Sequence, residues 1–263
     1  MSQGISQSKM RLLQDVEFQI LKSVDKLCKE YNIKYFLAFG SLLGALRHKG
    51  FIPWDDDMDF GVTYNHYFEF IDILKKELPS PLRCLYYEDN SPVHSFFFKV
   101  ENSNTVVDDP CLNLPLNKKI GLSIDVFPIV SCTEASGEET THKVKKLLDK
   151  EQLRVIPQNA TWYRKLAKRF LNFFNFGSNI KEKRKIKSLL DNVKNGEYFC
   201  NIVSPQFWKI IWPGSTFSEL ERYQFDGTFF WGPRDYDAYL SKCYKNYMEL
   251  PPENKRRTHL LST

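Results

Sequence analysis

The chain has 263 residues, of which 42% are hydrophobic and 26% charged, and its formal net charge is +5. This is the composition of an ordinary soluble globular protein, large enough to bury a core without disulfides or structural metal. No apolar run approaches the ~18 residues that a membrane span requires. The N-terminus has no apolar signal-peptide core, and the six cysteines are scattered without a CxxC pair. These features favour a cytoplasmic protein with reduced thiols.

The first third of the chain alternates helical and strand patterns. Apolar residues at helical spacing predict a helix over 9–31, and β-branched and aromatic residues predict a strand over 33–38. SLLGALRH predicts one to two helical turns, KGFIPWDDD a loop, and MDFGV the start of a second strand. Residues 64–78 have a helical pattern that ends at Pro79.

Three further strands are predicted at 82–87, 95–100 and 120–127. Pro128 is expected to end the last of them. With the helices, these strands predict an α/β (α+β) fold built on a small mixed sheet.

The rest of the chain has a different character. Residues 131–141 are polar and predict a loop, whereas 142–193 have a basic helical pattern. The predicted domains are therefore a catalytic core at 1–130, a basic helical insert at 131–214, and a C-terminal segment at 215–263 that completes the catalytic domain.

An acid and an apolar residue alternate in the run that includes Asp57 and Asp59. On a strand, alternate residues share a face, so both carboxylates would project together, ~7 Å apart along the chain. Such a pair is costly unless a cation lies between them, and Mg²⁺ favours one or two carboxylates plus phosphate oxygens. Asp125, flanked by apolar residues in a later strand, is a candidate third ligand. The sequence thus predicts a site for Mg²⁺ or Mn²⁺.

The two remaining acids of this run differ in phase. Asp55 shares the phase of Asp57 and Asp59 and is expected in the metal site or beside it. Asp56 has the opposite phase and is expected to face solvent. The alternative interpretation of DDDMD is a solvated charge run without a site.

Candidate phosphate-binding residues surround the acids. Gly40 and Ser41 lie where a strand ends and a helix opens, a geometry that exposes backbone N–H groups to phosphate. The basic candidates are Arg47, His48, Lys49 and Lys99, for which a solvated turn or strand edge is the alternative. This layout resembles the polymerase β-like nucleotidyltransferases, which implies in-line displacement at phosphorus with one or two metals.

A longer resemblance follows from these residues. GSLLGALRHKGFIPWDDDMDFGV resembles the signature of the LicD family, which also includes fukutin and fukutin-related protein. IDVFP at 124–128 and the run from Tyr236 to Pro252 are similar to two later family segments. The resemblance implies a nucleotidyltransferase-like fold and transfer of a phospho-alcohol from a CDP-linked donor to a sugar hydroxyl, with release of CMP. It assigns Asp57, Asp59 and Asp125 as metal carboxylates, with Asp55 in the motif.

Bacterial members that this chain resembles are phosphocholine transferases acting on teichoic acid precursors, lipopolysaccharide or similar glycans. The resemblance therefore implies CDP-choline as the donor and a glycan, in some cases lipid-linked, as the acceptor. Asp125 is the predicted general base. Transfer of ribitol phosphate, glycerol phosphate or a whole nucleotide is an alternative, and an inactive nucleotide-binding module is an alternative from another class.

Choline would be recognised through its quaternary ammonium, which aromatic rings bind by cation–π contacts. The C-terminal candidates for such a cage are Trp231, Tyr236 and Tyr239, with Phe229 and Phe230 beside them. Core packing is the alternative role for each ring.

The basic, Phe-rich stretch at 162–187 has two interpretations. It is either a solvated helical face or a surface that contacts an anionic membrane from the cytoplasmic side. Nucleic-acid binding is not predicted, because the charge is modest and no nucleic-acid motif is present.

Overall fold

A computed structural model of the protein describes residues 6–87, 96–107, 120–152, 179–203, 210–256 and 258. At the centre of these residues lies a seven-stranded mixed sheet. Its strands are β1 (Tyr35–Leu37), β2 (Asp59–Thr63), β3 (Leu82–Leu85), β4 (Phe98–Asn102), β5 (Ser123–Cys132), β6 (Tyr198–Cys200) and β7 (Ile211–Pro213). Their order is β1-β2-β5-β4-β3, and β6 pairs with both β5 and β7. β2 and β5 are parallel and the other pairs antiparallel, which confirms the predicted α+β class with a mixed sheet.

Helices and a separate hairpin surround the sheet. The helices are α1 (Gln7–Glu30), α2 (Phe39–His48), α3 (Tyr64–Glu77), α4 (Glu134–Gln152), α5 (Asn179–Asp191), α6 (Ser215–Ser218), α7 (Tyr236–Tyr244) and a 3₁₀ turn at Glu253–Lys255. The hairpin consists of β8 (Leu220–Phe225) and β9 (Thr228–Pro233). Ser6 caps α1, because its hydroxyl accepts a hydrogen bond from the Lys9 N–H at 3.3 Å. α1 and α3 pack together and against β5.

Tyr67 of α3 ties two sheet strands together within the aromatic core. Its hydroxyl donates to the Val126 carbonyl at 2.9 Å and accepts from the Phe98 N–H at 3.0 Å. Phe98 is the first residue of β4, and it lies opposite Val126 at one end of the β4–β5 pairing. A buried phenol satisfied on both sides thus fixes the register of the two strands that carry the candidate site.

The expectation that Pro128 ends its strand is wrong, because β5 continues to Cys132. The Asp125 N–H donates to Met58 on the β2 side, so the nitrogen of Pro128, in the other phase, faces the opposite side. On that side the pairing with β4 ends at Val126. The missing N–H of proline therefore costs no hydrogen bond to β4.

The expectation of a loop over 131–141 is also wrong, because α4 begins at Glu134. Thr133 and Ser136 form a reciprocal pair at this helix start. The Ser136 N–H donates to the Thr133 hydroxyl at 3.3 Å, and the Thr133 N–H donates to the Ser136 hydroxyl at 3.1 Å. The polar composition that resembled a loop is that of a capped helix start.

The segment at 131–214 also contributes to the central sheet. β6 and β7 come from it and extend the sheet beyond β5. β8 and α7, from the C-terminal segment, pack on α2, and β9 lies beside β1. The domain boundaries themselves stay a prediction. Across the described ranges, no helix combines the length and apolar character that crossing a bilayer requires.

Candidate active site

Three neighbouring strands align three of the predicted site residues. Asp59 of β2 is the direct register partner of Asp125 of β5, and Lys99 of β4 is the partner of Asp125 on the other side. Directly opposite residues project from the same face of a sheet. The fold therefore brings together two acids and a lysine that are far apart in the sequence.

Lys99 and Asp125 form an ion pair within this row. The Lys99 ammonium donates to the Asp125 carboxylate oxygen Oδ1. Both side chains are largely buried, and the ammonium also lies 5.3 Å from the ring centre of Phe97. Lys99, predicted to contact phosphate, is thus the cation that faces Asp125 in this structure.

Ser41 and Gly40 connect α2 to the acids. The buried Ser41 hydroxyl accepts a hydrogen bond from the Asp59 N–H at 2.8 Å, so it holds the first residue of β2 in place. A Cβ added at Gly40 would lie 2.8 Å from the Asp55 carboxylate oxygen Oδ2. Glycine at this position lets the acid loop approach the start of α2. The predicted phosphate-binding role of both residues stays a prediction.

The acid loop itself differs from the prediction at one position. Asp55, Asp57 and Asp59 are partly exposed in the predicted common phase, but Asp56 is only 5% exposed. The expectation that Asp56 faces solvent is therefore wrong. β2 begins only at Asp59, so the alternation of a strand does not govern the loop residues before it.

The acids repel one another strongly. Burial raises the pKa of Asp59 well above its ordinary value, and the carboxylates of Asp57, Asp125 and Asp55 raise it further. Lys99 opposes this shift. At Asp59, burial and repulsion by the neighbouring acids therefore outweigh the attraction of Lys99, and a bound cation would relieve that repulsion.

The donor chemistry fits a hard divalent cation, since every candidate ligand is a carboxylate oxygen. Within the described residues, however, no group of three or more His, Cys, Asp or Glu side chains is placed to hold a metal ion. Mg²⁺ usually takes one or two carboxylates and completes its octahedron with water and substrate phosphate. Asp59 and Asp125, side by side in the register, could supply those two carboxylates, and the metal itself stays a prediction.

The basic candidates of α2 and its C-cap have unequal surroundings. One Arg47 nitrogen, Nη1, donates to the carbonyls of Tyr247 and Glu249 at 2.8 and 3.3 Å. Arg47 Nε also donates to His48 Nε2 at 3.0 Å. Burial and then the charge of Arg47 lower the pKa of His48. Lys49 is exposed at the left-handed C-cap of α2. Arg47 thus anchors the C-terminal segment, while its phosphate-binding role stays a prediction.

Comparison with known proteins supports the resemblance to the LicD family that the sequence motifs indicate. Residues 32–137 match the family model described as LicD/FKTN/FKRP, nucleotidyltransferase domain. Over 260 residues, 95% of each chain, the sequence is 26% identical to the lipopolysaccharide cholinephosphotransferase LicD of Haemophilus influenzae. Residues 32–137 thus carry a LicD-family nucleotidyltransferase domain, and the chain is similar over most of its length to a LicD protein.

Shorter matches concern two uncharacterised rickettsial proteins. The sequence is 44% identical over 57 residues to one from Rickettsia typhi, which is 22% of this chain and 18% of that one. It is 47% identical over 47 residues to one from Rickettsia prowazekii, 18% of each chain. The match to the Haemophilus protein spans this chain almost completely, including segments outside 32–137.

The aromatic residues predicted to form a choline cage do not share one environment. Tyr239 is fully buried and stacks on Trp212 with ring centres 4.9 Å apart, so the structure places it in the core. Trp231 is partly buried, with the Arg222 guanidinium 5.1 Å from its ring centre. Tyr236 is exposed and contacts Tyr223 edge-on. Core packing, the alternative role, therefore holds for Tyr239.

Most of the stretch predicted to contact a membrane, 162–187, lies outside the described residues. In the part that is described, Lys181, Arg184 and Lys185 are exposed, whereas Lys183 and Lys187 have partners within the protein. Lys183 is buried, with its ammonium 5.1 Å from the ring centre of Tyr87. Lys187 pairs with Asp191 at 2.7 Å. Membrane contact stays a prediction.

Three residues that were not predicted from the sequence also lie near the acids of the candidate site. Tyr244 of α7 lies near them. Burial raises its pKa most, Cys243 raises it next, and the charges of Asp59, Asp55 and Asp57 raise it further. The Arg256 guanidinium lies 4.5 Å from the ring centre of Trp54, beside the acid loop. Glu17 of α1 is a third such residue. The sequence could have indicated it, because it is an acid on the apolar stripe of an amphipathic helix.

Proposed function

We propose that this protein transfers phosphocholine from CDP-choline to a sugar hydroxyl of a cell-surface glycan or its lipid-linked precursor, releasing CMP. The observation that carries the proposal is the 26% identity over 95% of both chains to a lipopolysaccharide cholinephosphotransferase. The row formed by Asp59, Asp125 and Lys99 supports it, because phosphoryl transfer needs little covalent chemistry and much positioning and charge compensation.

The reaction forms a bond between the sugar oxygen and phosphorus and breaks the bond from phosphorus to CMP. The hydroxyl proton passes to Asp125, the proposed general base. The ion pair with Lys99 holds the Asp125 carboxylate in position for this role. CMP leaves with the electron pair of the broken bond.

Asp57, Asp59 and Asp125, with Asp55 beside them, are proposed to hold Mg²⁺ or Mn²⁺. When bound, the ion would neutralise charge on the phosphates and on the departing CMP. Ser41 contributes by fixing the backbone of Asp59, which limits the freedom of the acid at the head of β2. The site thus combines positioned carboxylates with one buried ammonium.

Donor identity depends on the group attached to phosphorus. Trp231 and Tyr236 remain the candidates for choline recognition, because both rings have accessible surface. A ring face within about 6 Å of a quaternary ammonium attracts it, whereas ribitol and glycerol carry no such charge. A preference for CDP-choline over the uncharged alcohols would therefore reveal a cation–π contribution.

The test is calorimetric titration of the purified protein with CDP-choline, CDP-ribitol and CDP-glycerol, with and without Mg²⁺, followed by detection of released CMP with a glycan acceptor. We expect Mg²⁺-dependent binding of CDP-choline that the Asp57→Asn, Asp59→Asn double variant loses. Asp149→Asn, which alters an exposed acid paired with Lys145, is the matched control and should bind normally. Failure of folded wild-type protein to bind any CDP-alcohol would refute the proposal.

A further inference from the structure

The C-terminal segment brings an arginine back to the acid loop. The Arg256 guanidinium lies 4.5 Å from the ring centre of Trp54, the residue that directly precedes Asp55. His48, the last residue of α2, meets the same ring edge-on, with ring centres 6.2 Å apart. Residues from three distant parts of the sequence therefore meet beside the candidate site.

Backbone contacts hold this part of the chain in place. Arg47 donates to the carbonyls of Tyr247 and Glu249 at 2.8 and 3.3 Å, and so fastens the segment to α2. Arg256 Nε donates to the Pro251 carbonyl at 3.1 Å. The Arg256 side chain is 28% exposed, so its guanidinium is oriented by its own segment and still reaches solvent.

The positive charge of Arg256 has only a weak counter-charge in its ion pair. Glu253 lies 3.7 Å from Arg256 Nη1 and its side chain is 89% exposed, so solvent screens the pair. Arg47 is close enough to feel the same charge. Burial lowers the pKa of Arg47 most and Arg256 lowers it next, whereas Asp55 and Tyr244 raise it. Two guanidiniums therefore lie near each other and near the acid loop.

A guanidinium in this setting suits a phosphate group. It is planar and always charged, and its N–H donors form a fixed fork that matches phosphate oxygens. Nε of Arg256 is used by Pro251, which leaves Nη1 and Nη2 as the nitrogens for a ligand. In phosphoryl transfer, arginines compensate the charge on phosphate oxygens.

We infer that Arg256 binds the diphosphate of the CDP-linked donor, from the C-terminal segment and outside the matched domain at 32–137. Arg47 acts as a positioning residue, because it fastens the segment that carries Arg256. The inference rests on the proposed function, since it assigns a further residue to the donor of that reaction. Donor binding then ties the C-terminal segment to the acid loop through the phosphates.

The test is calorimetric titration of the full chain with CDP-choline, with inorganic pyrophosphate and with cytidine. Arg256→Gln is expected to weaken binding of CDP-choline and pyrophosphate about 10- to 100-fold, the effect of losing hydrogen bonds between charged groups. Binding of cytidine, which has no phosphate, should be unchanged. Arg234→Gln is the matched control: it removes an exposed arginine that pairs with Glu219 and should bind all three ligands as the wild type does.

The outcomes separate the inference from the proposed function. If folded wild-type protein binds no CDP-alcohol, the proposed function fails and the role of Arg256 fails with it. If the wild type binds CDP-choline and Arg256→Gln binds it equally well, the inference is overturned while the proposed function stands. An equal loss for cytidine and pyrophosphate would also overturn it, because the substitution would then disturb the site as a whole.

A measurement on the wild type covers the case in which Arg256→Gln does not fold. Phenylglyoxal modifies arginine side chains, and peptide mass spectrometry reports the modification at each position. CDP-choline should reduce the modification of Arg256 several-fold and leave that of the exposed Arg234 unchanged. Equal modification of Arg256 with and without CDP-choline would overturn the inference.

Discussion

Asp59 of β2 lies directly opposite Asp125 of β5 in the parallel register. The backbone reinforces this pairing, since the Asp125 N–H donates to the Met58 carbonyl at 2.8 Å. The backbone hydrogen bonds between β2 and β5 thus hold the two acids side by side, and separating them would break the central sheet. Lys99, opposite Asp125 on β4, compensates one of them. Charge balance in this row is therefore a property that single substitutions can test.

Replacing Lys99 with Met should destabilise the metal-free protein by about 3 kcal/mol, because it leaves Asp125 largely buried without its counter-charge. Urea denaturation in the presence of EDTA measures this. Lys143→Met is the matched control, because the Lys143–Glu139 pair is exposed and its loss should cost less than about 1 kcal/mol. Equal effects of the two substitutions would show that the Lys99–Asp125 pair contributes no more than a surface pair.

Asp59→Asn should stabilise the metal-free protein at neutral pH, because asparagine places no charge beside the neighbouring acids. Because burial and neighbouring acids raise the pKa of Asp59, the folded chain binds this proton more tightly than the unfolded chain. Wild-type stability should therefore fall as pH rises through the window between the two pKa values. The advantage of the variant should vanish below pH about 4, where Asp is protonated even when unfolded.

This prediction is measured by urea denaturation between pH 4 and 8 without divalent cations. Asp149→Asn serves as the control, since Asp149 is exposed and paired on the surface of α4. A variant that is less stable than the wild type at neutral pH would mean that the Asp59 carboxylate is already compensated without metal.

The acid motif could be predicted from sequence because alternation along a strand is a local property. Its phase placed Asp57 and Asp59 together and marked Asp125 as an acid in an apolar strand. The direct pairing of Asp59 with Asp125 is not local, because it depends on which strands become neighbours. The same holds for Lys99, whose partner is defined only once β4 lies beside β5.

The wrong expectations have the same origin. Asp56 is buried because it lies in the loop before β2, where strand alternation does not apply. The sequence motif does not indicate at which residue β2 begins. Pro128 is tolerated because its nitrogen faces the edge of β5 on which pairing with β4 has already ended at Val126. Strand alternation and the exclusion of proline from strands are both rules for a strand considered alone. Neither applied here, because where β2 begins and where pairing with β4 ends depend on the tertiary arrangement.

Arg47→Ala should loosen the C-terminal segment, since Arg47 holds the carbonyls of Tyr247 and Glu249. Hydrogen bonds to charged groups contribute about 1.5–3 kcal/mol, so local opening of this segment should become markedly more frequent. Limited trypsin digestion, with cleavage after the exposed Lys245 followed by mass spectrometry, measures the change. Lys49→Ala, at an exposed neighbouring position, should leave cleavage unchanged. Equal cleavage in Arg47→Ala and wild type would argue against the anchor.

Tyr239→Phe should destabilise the protein by about 1–3 kcal/mol, because it leaves the buried N–H of Phe39 without its acceptor. Phe39 has a left-handed backbone with φ of 44° and directly precedes Gly40 and Ser41, so this hydrogen bond supports the turn into α2. Tyr236→Phe is the matched control on the same helix and should change stability by less than about 0.5 kcal/mol, since Tyr236 is 37% exposed. Urea denaturation of both variants distinguishes a core phenol from a surface one. If Tyr239→Phe were neutral while Tyr239→Ala weakened CDP-choline binding in a protein of unchanged stability, Tyr239 would belong to the ligand site after all.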